Sequence, residues 1–538
     1  VHFELGTWDR AVICGILRIL EITILSALIL ATRCANHREV FVAGNIYFTD
    51  ADCYARMTRV QKCWEHPGLI VRRHDFENFP RGITPHTTAP FDYLILGLSR
   101  LLEPFTAHEL DLAGALVSPV LACLGGWFLW WWSKRMRFRY RWIALIMYVI
   151  SPILVHATEI GRPDHQSLLI LIIMIAICAE WSCAKAADTA AATDISRWSA
   201  VSGVAWGLAI WTSAYESLVL FLLVMVVAAV ENPNAISARF RRTGWIYFLL
   251  VIVIELLIER RVPSFFALYS SQLFKNWAQT LGELQHVWPA NPIWLRWCGY
   301  LLFVTPFLVW VSVARARGTG ERAAPVFIFV LLVVTYVLTI WQARWAYFFV
   351  LLFALALLGL LEPIKSRAAV WIVFLLSILP ILHDWDEKLW PHEAQLAERA
   401  AQRNESAQLR NLSLSLRSPE IRPFLAPWWL SPSIAYWSGQ PGIAGSSHES
   451  LDGIADTARF FLSDDWQEGR QILQNHHTAW VVGYDFERVA QNSKAVLNRA
   501  APAHPLCRIL DSTPSQAPPF LVLSAQNGVA KLYRVVAP

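Results

Sequence analysis

The chain has 538 residues, 55% of them hydrophobic and only 16% charged, well below the roughly 25% of an ordinary soluble domain. Its net charge is +5 with no basic tail, which argues against an electrostatic nucleic-acid binder and for a polytopic membrane protein in the lipid bilayer. The 27 tryptophans fit that reading, because indole favours membrane–water interfaces.

In chain order, apolar runs predict spanning helices at about 11–32, 110–133, 141–158, 165–184, 198–214, 215–231, 244–260, 293–314, 323–341, 346–363 and 368–384. Each is close to the length that about 30 Å of hydrocarbon requires. The first is too long for a signal peptide's apolar core and lacks a small-residue cleavage site, so it reads as an uncleaved anchor. The stretch 198–231 fits one long helix or two spans, and charge decides for two. With an inside N-terminus, the inner loops then hold Lys134, Arg135, Arg137, Arg139, Arg141, Arg239, Arg241, Arg242, Arg315, Arg317, Arg322, Lys365 and Arg367. That is the side on which Lys and Arg accumulate, and merging the two spans would turn the later clusters outward.

The same topology places 33–109, 159–164, 261–292, 342–345 and everything after about 385 outside. The chain therefore divides into a transmembrane domain, 1–384, and a soluble extracytoplasmic domain, 385–538. In the latter, "EAQLAERAAQRNESAQLRNLSLSLR" reads as helix and "HTAWVVGYDF" as a buried strand. "PFLVLSAQNGVAKLYRVV" reads as a hairpin turning at Asn527–Gly528. The fold class is an α-helical polytopic membrane domain carrying a mixed α/β unit. Cys123, Cys178, Cys183 and Cys298 lie in apolar runs as buried thiols; Cys34, Cys53 and Cys63 share one outer loop, where a disulfide stays open.

The outer segments carry acids in distinctive settings: Asp50 and Asp52 in "NIYFTDADCYARMTRV", Asp164 in "TEIGRPDHQ" and Glu283 in "TLGELQH". The last outer loop holds Arg344 in "WQARWAYFF". Carboxylates that converge from separate loops repel one another unless a cation joins them, and hard oxygen ligands suit Mg²⁺ or Mn²⁺. A divalent cation with an arginine beside it suits a diphosphate leaving group. Blander readings stand beside these. Asp164 is placed to cap a helix, Arg344 to anchor at the interface, and Arg162 to meet phosphate or to snorkel. His165 reads as a supporting neighbour of Asp164, His86 as a loop histidine that could approach the site, and Glu216 as a solvated turn acid.

At these residues the chain resembles the catalytic subunit of oligosaccharyltransferases, a family of C-type membrane glycosyltransferases. "DADCYARMTRV" is similar to the family's first-loop motif, with Asp50, Tyr54 and Arg56 in place. "GRPDHQ" resembles its second acidic motif, "TLGELQH" the motif of its long fifth outer loop, and "QARWAYFF" the segment whose arginine contacts the lipid diphosphate. "APWWLSPSIAYWSGQPGIAG" resembles its Trp-Trp-Asp-Tyr-Gly region. All five follow the family's order. The resemblance implies a thirteen-helix membrane fold against the eleven spans read here, a polyprenyl-diphosphate-linked glycan donor and a protein acceptor. It implies catalytic roles for Asp50, Glu283 and Asp164, and metal ligation by Asp50, Asp164, Gln166 and Glu283. It places the diphosphate on Arg344 and the acceptor on Trp428 and Trp429, with transfer by inversion. Asp52, His165, Arg162 and His86 are further candidates.

Two departures bear on this. Gln166 stands where a second acid is expected, so its amide oxygen would ligate with one charge fewer. Leu430 replaces the Asp of Trp-Trp-Asp and cannot accept a hydrogen bond from a sequon hydroxyl. The expected activity is thus oligosaccharyltransferase-like, on the outer face of a prokaryotic cell membrane. A C-type transferase that modifies a lipid, a cell-wall polymer or a protein hydroxyl is the alternative. A membrane transporter is a further one, and it predicts paired charges at mid-membrane and an internal repeat, which the sequence lacks.

Overall fold

The computed structural model describes residues 7–188, 192–231, 241–261, 271–319 and 324–536. Each predicted span falls on a helix or a broken helix. The stretch 198–231 is two helices, Ala192–Thr212 and Ala214–Glu231, parted at Ser213. Others break where the backbone demands it. Pro152, without an N–H, starts a new turn after Arg141–Ile150, and Gly299, at φ +66°, separates Ile293–Cys298 from Leu301–Thr319. Five described helices are long and apolar enough to cross a membrane, or six if the pair Arg367–Ser377 and Leu379–Leu389, bent by 44°, is one span. That is fewer uninterrupted helices than the eleven predicted spans, although the segments themselves coincide.

The bundle is built around Ala346–Leu360, apolar on every side and buried at every residue. The N-terminal helix Thr7–Arg33 lies at the opposite extreme, exposing Ile16, Leu17, Ile19 and Leu20 as a lipid-facing surface would. Helices Ala192–Thr212 and Arg242–Glu259 pack through Gly203 and Gly244, where a Cβ on Gly203 would lie 2.0 Å from the Gly244 carbonyl oxygen. The chain is an integral membrane protein.

The basic loops gather at one end of this bundle. Lys134 and Arg141 both pair with Glu21, at 3.2 and 2.8 Å. The Tyr140 hydroxyl donates to the Ile364 carbonyl at 2.8 Å, and Arg315 donates to the Pro363 carbonyl at 3.3 Å. Arg239 and Arg322 lie outside the described residues.

At the other end sits the C-terminal unit. Its helix Glu393–Leu414 and hairpin Leu521–Asn527/Ala530–Val535 lie where the sequence predicts them. The four-stranded sheet runs Phe424–Leu425, Trp480–Gly483, Ala530–Val535, Leu521–Asn527, the first pair parallel and the others antiparallel, with Val481 opposite Tyr533. This unit shares a core with the first outer segment. Helix Ser431–Ser438 packs on helix Ala51–Glu65, with the Tyr54 ring 5.0 Å from Trp437 and 5.8 Å from Tyr436. The Tyr436 hydroxyl also donates to Asp111. Cys34, Cys53 and Cys63 are free thiols, so the open question of a disulfide is answered against one. Cys53 and Cys63 are buried along one helix.

Candidate active site

Asp50 stands at the start of helix Ala51–Glu65. Its Oδ1 accepts the Cys53 N–H at 2.9 Å and caps that helix. The loop carrying Asp164 is brought alongside through Gly161. The Gly161 carbonyl accepts the Thr49 N–H at 3.0 Å, and its φ of +78° suits glycine. Contact is close enough that a Cβ there would lie 2.5 Å from Val40 Cγ2.

Arg162 then bridges the two acids. Its Nη1 lies 3.1 Å from Asp50 Oδ2 and its Nη2 3.9 Å from Asp164 Oδ2. It neither snorkels nor points to open water: the side chain is 11% exposed and also meets His156 Nε2 at 3.2 Å. Burial works against its charge, but Asp50 foremost raises its pKa well above the ordinary arginine value. Asp164 Oδ1 is 2.7 Å from His165 Nδ1. Burial would favour the neutral acid; His165 first, then Arg162, hold it far below the usual carboxylate range.

Glu283 and Arg344 form the second half. The Val287 N–H donates to the Ile340 carbonyl at 3.1 Å and the Ala343 N–H to the Gln285 carbonyl at 2.9 Å. These bonds set the turn Gly282–Leu284 against the turn Ala343–Trp345. Arg344 Nη1 is 3.9 Å from Glu283 Oε1, and its Nη2 is 2.5 Å from Glu216 Oε1. Glu216 is therefore not a solvated turn acid: it is fully buried and takes a hydrogen bond from Ser213 Oγ at 2.6 Å. A buried carboxylate needs a cation, and Arg344 supplies it. Residue order carries no sign of this partner, because the two lie on different helical elements.

Trp428 is buried. Its ring meets Trp277 edge-on at 5.8 Å and its Nε1 donates to Asn492 at 2.7 Å. Trp277 belongs to helix Gln272–Ala278, just before Glu283, so Trp428 docks that segment onto the C-terminal unit. Residues 262–270 of the predicted loop 261–292 lie outside the described ones. Trp429 is half-buried and packs edge-on against Trp428 at 5.9 Å. Arg56, of the first-loop motif, is committed to Asp92 at 2.7 Å.

Asp52 keeps exposed surface yet is ringed by acids. Removal from bulk water and then Asp50 push its carboxyl up to about 7, with Glu283 and Asp164 adding. Glu77, beneath, is fully enclosed, and burial pushes it up to about 7 as well. His86 does not reach Asp50; it lies 3.0 Å from Glu449 of the C-terminal unit.

Asp50, Asp164 and Gln166 offer oxygen donors, the atom type that a hard divalent cation takes. Asp50 and Asp164 already share one positive group, and the Gln166 amide oxygen is buried with no hydrogen-bond partner. Such an oxygen is either satisfied by a ligand or costs stability.

The sequence matches no family model and no curated protein. Solved structures do match. An archaeal oligosaccharyltransferase, AglB from Archaeoglobus fulgidus in complex with an inhibitory peptide and a dolichol-phosphate, superposes with a TM-score of 0.67 at 12% identity, covering 90% of this chain and 71% of that one. The same enzyme in complex with zinc and sulfate gives 0.66 at 12%, over 90% and 70%. ArnT from Cupriavidus metallidurans, bound to undecaprenyl phosphate, gives 0.58 at 13%, over 97% and 98%. The chain has the C-type glycosyltransferase fold. In that fold, the predicted residues Asp50, Asp164, Arg162, His165, Glu283 and Arg344 gather at the end of the bundle that carries the C-terminal unit.

Proposed function

We propose that this C-type fold transfers a glycan from a polyprenyl (di)phosphate-linked donor to a protein acceptor. The observation that carries the reading is the convergence of Asp50, Asp164, Arg162, Glu283 and Arg344 at the bundle end remote from the basic loops. The lipid phosphates bound by the archaeal enzyme and by ArnT, and the peptide bound by the former, support the donor and acceptor classes.

In this reading Arg344 holds the phosphate of the donor, with Glu216 fixing the guanidinium from behind. Asp50 and Glu283 orient the acceptor amide. The acceptor nitrogen bonds to the anomeric carbon and gives up one proton to the Asp50 or Glu283 carboxylate, while the carbon–oxygen bond to the lipid phosphate breaks on the opposite face and the electron pair leaves with the phosphate, giving inversion. Asp50, Asp164, Gln166 and Glu283 would hold Mg²⁺ or Mn²⁺, which when bound neutralises charge on the departing phosphate. Domains 1–384 and 385–538, a prokaryotic cell membrane and an extracytoplasmic site belong to the same proposal.

A second reading, a lipid, cell-wall polymer or protein hydroxyl as acceptor, is favoured by Leu430, which offers no polar group beside Trp429. Mass spectrometry of membrane and secreted glycoproteins from cells with and without this chain tests both. Sugar lost from Asn sustains the first reading. Loss from Ser, Thr or a lipid moves the acceptor to the second. Unchanged glycans on every acceptor would end both.

A further inference from the structure

Among the described residues, one group of three His, Cys, Asp or Glu side chains brings its ligand atoms within 4.8 Å of one another: His86, His448 and Glu449. It is separate from the ion-paired trio of Asp50, Asp164 and Arg162. We propose that these three residues form a second metal site, of the zinc class, that fastens the first outer segment to the C-terminal unit.

The three ligand atoms lie close to one another. His86 Nδ1 lies 3.0 Å from Glu449 Oε1, and His448 Nε2 lies 3.5 Å from the same oxygen. The two imidazole rings are 4.8 Å apart between centroids. In a tetrahedral zinc site with bonds near 2.0–2.1 Å, neighbouring donor atoms sit about 3.4 Å apart. The observed spacings straddle that value, so small side-chain rotations suffice. Two imidazoles with one carboxylate select zinc and its neighbours in the transition series over Mg²⁺ or Ca²⁺, which take all-oxygen sets. Asp50, Asp164 and Glu283 present only oxygens and this cluster presents two nitrogens and an oxygen, so the two sites differ in kind.

Other contacts hold the ligands in place before any ion arrives. His86 comes from the loop before helix Ala89–Leu102, and His448 and Glu449 from the turn His448–Ser450. Along the same seam, Asn78 Oδ1 accepts the Gly453 N–H at 3.1 Å and Arg81 pairs with Asp452 at 3.0 Å. The Phe79 N–H donates to the Gly442 carbonyl at 3.2 Å. Ser447 and Ser450, either side of the two C-terminal ligands, have buried hydroxyls with no partner. The three protein ligands leave a fourth position, and the His86 side chain, 48% exposed, leaves it open to solvent.

The test uses the full chain in nanodiscs, stripped by chelator and dialysed against ZnCl₂ with excess Mg²⁺, which occupies oxygen sites. The proposal expects one retained zinc per chain by elemental analysis, and a tetrahedral absorption band when Co²⁺ replaces it. His86→Ala and His448→Ala should each weaken zinc binding about 100-fold or more. His448→Cys, which keeps a ligand, should restore it. If His448→Ala does not fold, His86→Ala decides, because His86 is half exposed. No zinc on the native chain, zinc unaffected by both alanine variants, or zinc lost only on Asp50→Asn would each overturn the proposal. None of these readouts depends on glycosyl transfer.

Discussion

The two ends of helix His165–Asp188 treat charge differently. Near its last turns, Glu180 accepts Arg241 Nη1 and Nη2 at 3.0 and 2.6 Å, and also the Ser202 hydroxyl. Glu21, at the same basic end, is equally well supplied, by Trp130, Lys134 and Arg141. At the other end, Asp164 shares Arg162 with Asp50, Arg344 divides itself between Glu216 and Glu283, and the Gln166 amide oxygen has no partner. Some fifteen residues of helix, about 22 Å, separate a saturated ion pair from an unsaturated one. A closed pair holds helices together; an open one keeps acceptors and a cation available for a ligand.

Replacing groups at each end sharpens the contrast. Asp50→Ala or Glu283→Ala should reduce glycosyl transfer by about 1000-fold or more, with the protein still inserted and folded. Near-normal turnover in either variant would remove that residue from the site. Glu180→Gln should do the reverse, costing about 3–5 kcal/mol of stability by stranding Arg241, while turnover per folded molecule stays unchanged. Thermal melting and single-turnover rates on the same sample separate the two effects, and a large rate loss would refute the division.

Smaller effects are expected where the charge is only partly committed. Arg344→Ala should raise the donor KM by about 10- to 100-fold, the worth of a charged hydrogen bond, and change the acceptor KM little. Equal loss on both substrates counts against a donor contact. Glu77 supplies a pH test. Its carboxyl moves from 4.5 to about 7 on burial, so between these values the folded chain keeps a proton that the unfolded chain has lost. Stability should therefore fall as pH rises through that window, and Glu77→Gln should flatten the fall. Denaturant melts across the window that show the same slope in both proteins would discard the assignment.

Much of this was legible in residue order. Spacing alone located the helices, because a bilayer imposes one length on every apolar run, and charge alone separated 198–214 from 215–231. The hairpin at Asn527–Gly528 followed from turn chemistry. The breaks at Pro152 and Gly299 were also written in the sequence, but hydropathy windows smooth over them. Glu216 was misread because a turn acid and a buried counter-ion look alike until the partner is known.

The sequence by itself determined a membrane chain, since composition and the length of apolar runs need no knowledge of contacts, and its acidic loop segments resemble the oligosaccharyltransferase motifs in their order. Only the tertiary structure decided who pairs with whom: Arg162 between Asp50 and Asp164, Glu216 beneath Arg344, His86 against His448 and Glu449. Apart from Arg162–Asp164, these pairs join residues more than 100 positions apart. Their energies depend on distance and burial in space, which order along the chain does not encode.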